Sequence, residues 1–404
     1  MALDLRTGKT VWQQDGFPHS KHEPLAENID TQVAIVGGGI TGALLAYQLT
    51  QSGFQVVLLD RREPGAGSTT ASTAILSYET DVMLQDMVKH IGAKNGARVF
   101  QAGQEALQLV EKLVSKIGNT CGFEHRDSVY FASTEDDLAM LHEEYHLRKE
   151  LGFEVEFLFR DDFVRQYSFE AAGALRTPNM AQINPLAFTR HLIKAAEEKG
   201  MKVFSQTHVT GYSYNKELKF NTLTTERGAF VTARHTIFAT GYESQQMLHQ
   251  AHVKLNSSYA IASEPVSGFS GWHGRTSLWE TARPYLYLRT TSDNRILVGG
   301  EDEPFENEQA RDLLLPQKAE TLYRKAKEMF PDIPFEAALA WAGTFAESSD
   351  GLPYIGRHNQ YPGAYFALGY GGNGITFGAM ACPMVLDWVQ GRENPDEKIF
   401  AFGR

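Results

Sequence analysis

The chain has 404 residues, a length that suits two domains of ordinary size. Hydrophobic residues make up 42% of it and charged residues 22%, so packed cores are expected and extensive disorder is excluded. The formal charge of −11 disfavours anionic partners, and we therefore expect no binding to nucleic acid or to anionic membrane surfaces.

The start of the chain, residues 1–27, is polar and lacks clear periodicity, so we predict an extended N-terminal arm. The two cysteines, Cys121 and Cys382, are too few for a disulfide framework and indicate either a reducing compartment or indifference to the redox state. We find neither a signal-peptide core nor an apolar run near the ~18–20 residues that cross a bilayer. We therefore expect a soluble, cytoplasmic protein without a membrane span.

A β-α-β unit follows the arm. Residues 31–36 (TQVAIV) and 55–59 (QVVLL) are typical of buried strands, and residues 43–49 are good helix formers. The turn at residues 37–42 matches G-x-G-x-x-G, in which glycines permit a tight turn, close approach of a pyrophosphate and close packing of helix on strand. Because a helix N-terminus attracts anions, this unit predicts a bound dinucleotide.

Asp60 stands at the end of the second strand. An acidic residue at this point accepts hydrogen bonds from the ribose of an adenosine. Arg61 and Arg62 follow it and have two interpretations: they are ordinary surface charge, or they bind a 2′-phosphate, which Asp60 would repel.

The remaining elements continue the alternation of strands, helices and glycine-rich turns. Residues 65–73 form a loop of small residues, and Asn184 followed by proline predicts the start of a helix. Further helices are predicted at 81–118, 185–199, 308–330 and 375–389, the last bent at Pro383. Strands are predicted at 128–132 and 154–159, within 201–241 and 255–300, and at 364–368. A second glycine-rich turn, 369–374, precedes the final helix.

The string His142 to His146 matches H-E-x-x-H, the spacing of a zinc site. It lies in a predicted polar helix, residues 134–150, that is dense in acidic residues and is followed by no distinct third ligand. We interpret this segment as a solvated helix and expect no metal site.

Five segments carry a family resemblance: VAIVGGGITG (33–42), LLDRREPGAGSTTAST (58–73), TIFATG (236–241), SDGLPYIGRH (349–358) and YFALGYGGNGITFG (365–378). On these segments the chain resembles the FAD-dependent amine and D-amino-acid oxidoreductases, which include glycine and sarcosine oxidases. The resemblance favours FAD over NAD. It implies an α/β fold with a Rossmann-like FAD-binding domain and an interleaved α+β substrate domain built on an antiparallel sheet.

The resemblance also implies a discontinuous domain arrangement. The FAD-binding domain is expected at residues 28–115, 184–248 and 340–395. The substrate domain is expected at residues 116–183 and 249–339, with the arm preceding both.

The same resemblance implies which residues hold FAD, without a covalent bond. The first glycine motif would face the pyrophosphate, and the strand end would face the adenosine. The loop of small residues would face the ribityl and isoalloxazine groups, and the second glycine turn the pyrimidine ring. The expected cofactor residues are Gly37, Gly39, Ile40, Thr41, Gly42, Asp60, Arg61, Gly67, Ser68, Thr69, Ser72, Thr73, Val209, Thr240, Gly241, Gly372, Asn373, Gly374, Ile375 and Thr376.

The reaction implied by the family is hydride transfer from a small amine or amino acid to the flavin, which gives an imine that hydrolyses. Its better-known members bind the substrate carboxylate with arginine or lysine. The matching positions here are Ala74, Thr376 and about Phe345, none of which is charged. This departure argues against a simple amino-acid substrate.

Arg283 is the candidate to replace the missing clamp, because a guanidinium binds a carboxylate through two hydrogen bonds. Tyr285 or Tyr287 would then wall the substrate site. Two alternatives stay open: Arg283 pairs structurally with Glu280 or Glu301, or the substrate lacks a carboxylate and Glu280 binds its amine.

The electron acceptor also stays open. Oxidases of the sarcosine type use a lysine to activate oxygen, and no lysine occurs here between Lys254 and Lys318. Oxygen or another acceptor, and thus an oxidase or a dehydrogenase, are both compatible with the sequence. The rival interpretations are a non-catalytic FAD-binding protein and an NAD-dependent dehydrogenase.

Overall fold

The computed structural model describes residues 4–13, 21–248 and 253–404. The strands of this part are β1 Arg6–Gly8, β2 Ile29–Val36, β3 Val56–Leu59, β4 Ile75–Leu76, β5 Glu124–Phe131, β6 Glu156–Phe159, β7 Gly173–Gln182, β8 Lys202–Phe204, β9 Val209–Asn215, β10 Phe220–Thr225, β11 Phe230–Phe238, β12 Val253–Ser263, β13 Ser277–Glu280, β14 Tyr287–Thr290, β15 Ile296–Pro304, β16 Ala337–Ser348, β17 Tyr354–Arg357 and β18 Ala364–Leu368.

The helices of the same part are α1 Ile40–Gln51, α2 Ser68–Ala71, α3 Leu84–Ile117, α4 Leu138–Glu150, α5 Arg160–Val164, α6 Pro185–Glu197, α7 Gln245–Leu248, α8 Glu308–Met329, α9 Gly374–Val389 and α10 Glu397–Phe400. Short 3-10 turns lie at Val11–Gln13, Glu135–Asp137, Gly241–Ser244 and His273–Arg275.

The first sheet has the order β17-β18-β11-β2-β3-β8, and strands β10 and β9 extend from β11. Strands β18, β11, β2, β3 and β8 are parallel, and α1, α6 and α9 cover one face with apolar side chains. The predicted β-α-β unit is β2-α1-β3. Its helix begins at Ile40, inside the glycine motif rather than after it, because only residues 37–39 are needed for the turn between β2 and α1.

The second sheet has ten strands, and its main path is β1-β16-β12-β15-β14-β13-β5-β7-β4, with β6 on β7. Every pairing in it is antiparallel except that of β13 with β5. Helix α8 packs on β12, β15 and β16, and the apolar residues between them form a second core. A Rossmann-like parallel sheet beside a mainly antiparallel sheet confirms the predicted α/β fold class.

The two sheets take their strands from alternating parts of the chain. Strands of the first sheet come from residues 29–59, 202–238 and 354–368. Strands of the second come from residues 6–8, 75–182, 253–304 and 337–348. This alternation is the kind that the discontinuous domains require, and the domain boundaries themselves stay predictions.

The described part of the predicted arm is folded into the second sheet. Strand β1 pairs with β16, with Thr7 opposite Ala342. Trp12 is buried among side chains of both β12 and β16. Residues 1–3 and 14–20 of the arm lie outside the described residues. The arm was predicted to be extended because its composition is polar. Its few apolar residues, Leu5, Val11 and Trp12, are buried, and they supply enough apolar surface to dock the segment.

One helix differs in detail from its prediction: α3 contains a break at Gly92, where φ is 80°. Helix α9 runs to Val389 with Pro383 inside it, over nearly the predicted range. Among the described residues, we find no helix that is both long and apolar enough to cross a membrane.

Candidate functional site

The first glycine motif forms a cradle at the carboxyl end of β2. Gly37 has φ +107°, and a Cβ on it would lie 2.4 Å from the carbonyl oxygen of Ala239. A Cβ on Gly42 would lie 1.8 Å from the carbonyl oxygen of Gly37. Only glycine allows both contacts. The motif therefore produces the close approach of turn, strand and helix that was predicted from the sequence.

Asp60, at the end of β3, fastens this cradle to the neighbouring strand. Its Oδ2 accepts a hydrogen bond from the Gly38 amide at 2.6 Å, and its Oδ1 accepts one from the Arg62 amide at 2.7 Å. Burial raises the pKa of Asp60, although these two amides act in the opposite direction. The carboxylate stands where a ribose hydroxyl is expected, and that further contact stays a prediction.

The two arginines after Asp60 converge on one carboxylate. Glu243 accepts hydrogen bonds from Arg61 and from Arg62, the latter at 2.8 Å. Burial lowers the pKa of Arg61 to about 10. The guanidinium groups are thus held in the wall of the site rather than spread over the surface.

A cavity of about 410 Å³ extends from the cradle along the edge of the first sheet; we call it the cofactor cavity. Of the predicted cofactor residues, it is lined by Gly37, Gly39, Ile40, Thr41, Asp60, Arg61, Gly67, Ser68, Thr69, Ser72, Val209, Thr240, Gly241, Gly372, Gly374 and Ile375. Gly42 and Thr376 do not line it. Gly42 serves packing, and Thr376 is buried behind the wall.

The chemistry of this wall fits a dinucleotide. The first turn of α1 presents backbone N–H groups, and the Ile40 amide is capped by Thr69 Oγ1 at 3.0 Å. The Oγ1 of Thr240 is buried and has no hydrogen-bond partner among the described residues. A buried hydroxyl without a hydrogen-bond partner is energetically costly, and a polar ligand in the cavity would supply the missing hydrogen bond.

A second cavity, of about 180 Å³, lies between the two sheets; we call it the inner cavity. It shares Ser68, Ser72, Tyr242 and Gly372 with the cofactor cavity, and Thr73 and Asn373 of the predicted cofactor residues also line it. Its aromatic walls are Tyr242, Tyr259, Trp279, Tyr285, Tyr287, Trp341 and Phe345. A ligand in this cavity would therefore meet the end of a cofactor bound in the first.

The second glycine turn closes the inner cavity at the start of α9. The side chain of Asn373 donates to the carbonyl oxygens of Ser77 at 2.9 Å and Glu79 at 2.7 Å. Thr376 Oγ1 donates to the same Ser77 carbonyl at 3.0 Å. These two side chains were expected to face the cofactor, and in the structure they hold the extended segment that follows β4 against the glycine turn.

Arg283 and Glu280 are not brought to the inner cavity. Arg283 is exposed, and its Nη1 lies 3.1 Å from the carbonyl oxygen of Ala282 in its own loop. Glu280 accepts hydrogen bonds from the Leu286 amide at 2.9 Å and from Ser133 Oγ at 3.2 Å. The alternative ion pair is absent too: among the described residues, Arg283 pairs with neither carboxylate proposed for it. Glu301 instead binds lysines of α8.

Tyr285, like Tyr287, lines the inner cavity, whereas Arg283 and Glu280 do not. Its hydroxyl donates to Asp81 Oδ1 at 3.0 Å, and Gly372 donates its amide to Asp81 Oδ2 at 3.0 Å. Burial and the nearby Asp81 carboxylate raise the pKa of Tyr285 well above its usual value. Tyr287 stands beside it, and burial raises its pKa to about 12.

The sequence reasoning missed the three carboxylates of the inner cavity, Glu79, Asp81 and Asp302. One signal was present: Ser77, Glu79 and Asp81 are polar residues spaced two positions apart directly after β4. Asp302 lies near the end of β15, where burial raises its pKa to about 7.

Helix α4, which contains the H-E-x-x-H string, was predicted to be a solvated helix. That prediction needs a correction, because part of the helix is buried. Its Glu144 and Arg148 are fully buried. Arg148 binds both Glu144, through Nε at 2.7 Å, and Glu79. Glu144 also accepts the amides of Leu84 and Gln85, which begin α3. The helix therefore supports the wall of the inner cavity.

A buried arginine that sequence analysis did not single out lies behind the loop of small residues. Arg289 donates through Nη1 to the carbonyl oxygens of Thr73 at 2.9 Å and Ala74 at 2.7 Å. Its guanidinium stands 5.3 Å from the Trp12 ring, and burial lowers its pKa to about 9. It lines neither cavity, so it positions the loop between them.

Comparisons with known proteins agree with this geometry. The family described as "DAO: FAD dependent oxidoreductase" matches residues 32–388. The putative Rieske 2Fe-2S iron-sulfur protein YhfW of Bacillus subtilis is 24% identical over 98% of this chain and 75% of its own. The glycine oxidase of Geobacillus kaustophilus is 24% identical over 90% of this chain and 93% of its own.

A solved structure shows the same fold. The crystal structure of glycine oxidase from Geobacillus kaustophilus superposes with a TM-score of 0.76, at 22% identity, over 93% of this chain and 99% of that one. The family match covers most of the chain and confirms the resemblance and the predicted cofactor. The chain therefore belongs to the DAO family of FAD-dependent oxidoreductases, and its cofactor is FAD.

Proposed function

We propose that the protein oxidises the C–N bond of a small amine or amino acid. A hydride leaves the carbon next to nitrogen, and the resulting imine is hydrolysed to a carbonyl compound. FAD supplies the two-electron acceptor for this step. The observation that carries the proposal is the shared wall of the two cavities, because a substrate in the inner cavity would lie against the end of the cofactor.

The residues of the chain support this reaction in two ways. The aromatic side chains of the inner cavity exclude water and fix the orientation of a small substrate, which brings the reacting atoms together. The glycine turn places the N-terminal end of α9 at the same cavity, and that end favours negative charge that develops there. Neither role requires a protein nucleophile.

The experiment is an anaerobic titration of the purified holoprotein, followed by its absorption spectrum. Bleaching of the flavin bands on addition of an amine or amino acid is the expected result. A panel should include glycine, sarcosine, D-alanine, N-methylated amines and polyamine derivatives. Protein that carries FAD but is reduced by no member of a broad panel would favour a non-catalytic FAD-binding protein.

A dehydrogenase is the second candidate, and one observation favours it. No lysine, arginine or histidine lines the inner cavity in the parts of the chain that the structure describes. A cation near the flavin stabilises the negative charge that develops on dioxygen, so its absence predicts slow oxidation by oxygen. A tenfold or greater advantage of an artificial dye over oxygen as acceptor would support a dehydrogenase, and equal rates would support an oxidase.

We also propose that FAD is bound without a covalent link. Both cysteines, Cys121 and Cys382, are buried, and neither lines a cavity. Burial also raises the pKa of each thiol, which disfavours the reactive thiolate. Denaturation should release all flavin into the supernatant, and flavin retained on the precipitated chain would contradict the proposal.

A further inference from the structure

The inner cavity is unusually acidic for a site that would receive an amino acid. Its charged lining residues, among those that the structure describes, are Glu79, Asp81 and Asp302. The positions of the family's carboxylate clamp that do line it, Ala74 and Phe345, are apolar. A carboxylate placed there would face anionic lining residues and no cationic one; Arg283 does not line the cavity, although its guanidinium lies 4.9 Å from the Tyr285 ring.

Glu79 is the compensated member of the three. It is 3% exposed, and its Oε1 accepts hydrogen bonds from Arg148 and from Thr177 Oγ1, the latter at 2.8 Å. Because Arg148 neutralises much of its charge, Glu79 attracts a ligand only weakly. Its role is to stabilise the wall of the inner cavity.

Asp81 is bound only by neutral donors. Tyr285 and the Gly372 amide satisfy one oxygen each, at 3.0 Å. Hydrogen bonds from neutral groups orient a carboxylate but leave its net charge in place. Asp81 therefore contributes a fixed negative potential at the mouth of the glycine turn.

Among the described residues, Asp302 is the carboxylate of the three that lacks both a paired cation and a hydrogen-bond partner for one of its oxygens. Its Oδ1 is buried and has no hydrogen-bond partner in the described part of the chain. A hydrogen bond with Ser258 involves the same side chain. The nearby cation Lys318 is already bound to Glu301 at 3.4 Å and to Glu303 at 2.6 Å. A buried carboxylate without a counter-ion is costly, so the site favours a ligand that brings one.

The aromatic residues around these carboxylates suit a cation as well. Tyr285 and Tyr287 stand side by side, with ring centroids 5.7 Å apart, and Trp279 lies 6.3 Å from Tyr285. The faces of aromatic rings attract ammonium groups, most strongly where water is excluded. Carboxylates and rings together form the surroundings that alkylammonium ions prefer.

We propose that the inner cavity recognises its substrate through the ammonium group, with Asp302 as the direct partner and Asp81 as the second anion. Because hydride loss needs the lone pair of nitrogen, the ammonium group gives one proton to the Asp302 carboxylate before the hydride leaves the carbon for the flavin. The inference rests on the proposed function. The substrate class is then a primary or secondary alkylamine without a carboxylate on the reacting carbon. The chain thereby differs in specificity from relatives whose names specify amino acids.

The first test compares substrates that differ only in the carboxylate. Norvaline is paired with butylamine and phenylglycine with benzylamine, and anaerobic reduction of the flavin in the holoprotein is measured by stopped-flow absorbance. We expect the amine of each pair to show at least a tenfold higher ratio of reduction rate to dissociation constant. Preference for the amino acids would overturn the inference and leave the proposed function intact. Reduction by no amine or amino acid would overturn both.

The second test uses Asp302→Asn, which keeps the shape and removes the charge. The dissociation constant of the better amine should rise roughly tenfold to a hundredfold, the range for losing a charged hydrogen bond. The matched control, Asp332→Asn, changes an exposed aspartate and should leave the constant unchanged. Asp302→Glu should restore part of the affinity. Equal amine affinity in Asp302→Asn and the unmodified protein, at equal flavin content, would overturn the inference.

The substrate-pair test uses the unmodified holoprotein, so it decides the inference even if Asp302→Asn fails to fold or to retain flavin. A merely structural role of Asp302 predicts equal losses of amine and amino-acid binding. The proposed role predicts a larger loss for the amine, because Asp302→Asn also removes the repulsion between Asp302 and the carboxylate of the amino acid.

Discussion

The cofactor cavity and the inner cavity adjoin each other, yet they are built by different means. The cofactor cavity is shaped by backbone: a glycine turn, a helix N-terminus and short side chains at the ends of parallel strands. The inner cavity is shaped by large side chains from strands and loops that are far apart in the chain. The comparison teaches that cofactor binding follows from a local pattern, whereas substrate choice depends on tertiary contacts.

The largest expected effect on cofactor binding is in the backbone-built cavity. Gly42→Ala should place a methyl group 1.8 Å from the Gly37 carbonyl oxygen, so the cradle must open. We expect FAD content to fall roughly tenfold or more and stability to fall by about 3 kcal/mol, as for severe overpacking. The ratio of flavin to protein absorbance measures the first effect, and urea denaturation the second.

Gly268→Ala is the matched control for that variant, since a Cβ there meets nothing within 4 Å. It should retain full flavin content. Normal flavin content in Gly42→Ala would contradict the close packing of α1 on β2.

The second effect concerns the support of the inner cavity. Arg148→Met should leave the buried carboxylates of Glu79 and Glu144 without their shared cation. We expect a loss of about 3–5 kcal/mol in the free energy of unfolding, the usual result of breaking a buried ion pair. Urea denaturation of the holoprotein measures it.

Arg324→Met provides the control, because Arg324 forms an exposed pair with Glu328 on α8. Its removal should cost less than about 0.5 kcal/mol. Equal losses in the two variants would mean that the buried network contributes no more than a surface pair.

The third effect is a pH dependence of amine binding. Burial, with Asp81 and Glu347 as nearby anions, raises the pKa of Asp302 to about 7, while Ser258 and Lys318 act in the opposite direction. Below that pH the carboxylate is protonated and loses its charge, while an alkylammonium stays charged. Amine affinity should therefore fall up to about tenfold per pH unit as the pH drops below 7. Dissociation constants between pH 5.5 and 8.5 test this, and a flat profile would contradict it.

The smallest effect is expected at Arg283. Its side chain is exposed and contacts carbonyl oxygens of its own loop; its guanidinium lies 4.9 Å from the Tyr285 ring but does not line the inner cavity. Arg283→Ala should change the KM of the best substrate by less than about twofold, as is usual for surface substitutions. Steady-state kinetics measure it, and a tenfold rise in KM with a carboxylate substrate would return Arg283 to the substrate site.

Sequence analysis predicted the parts of the molecule that a short segment determines. The turn around Gly37 and Gly42 needs glycine at fixed positions, because a Cβ at either would clash with the backbone. Its place between strand and helix could therefore be predicted from the spacing of the glycines alone. The helix N-cap at Asn184 is equally local, and its side chain accepts the Ala187 amide at 3.0 Å as expected. Such features depend on residues only a few positions apart.

The features that sequence analysis missed depend on residues that are distant in the chain. Glu144 and Arg148 look like members of a charged surface helix until Glu79 and the start of α3 are brought against them. Asp302 looks like one of several acidic residues after a strand. Only its neighbours on β12 and on the segment after β4 bury it. Trp12 likewise looked like part of a polar arm because its docking site is assembled from β12 and β16.

The most direct test of the account is anaerobic reduction of the FAD-loaded protein by butylamine and by norvaline, followed at the flavin absorption band. The account predicts bleaching that is faster and reaches completion at lower concentration with butylamine. An unchanged flavin spectrum with these two compounds and with the whole panel of amines and amino acids would contradict it.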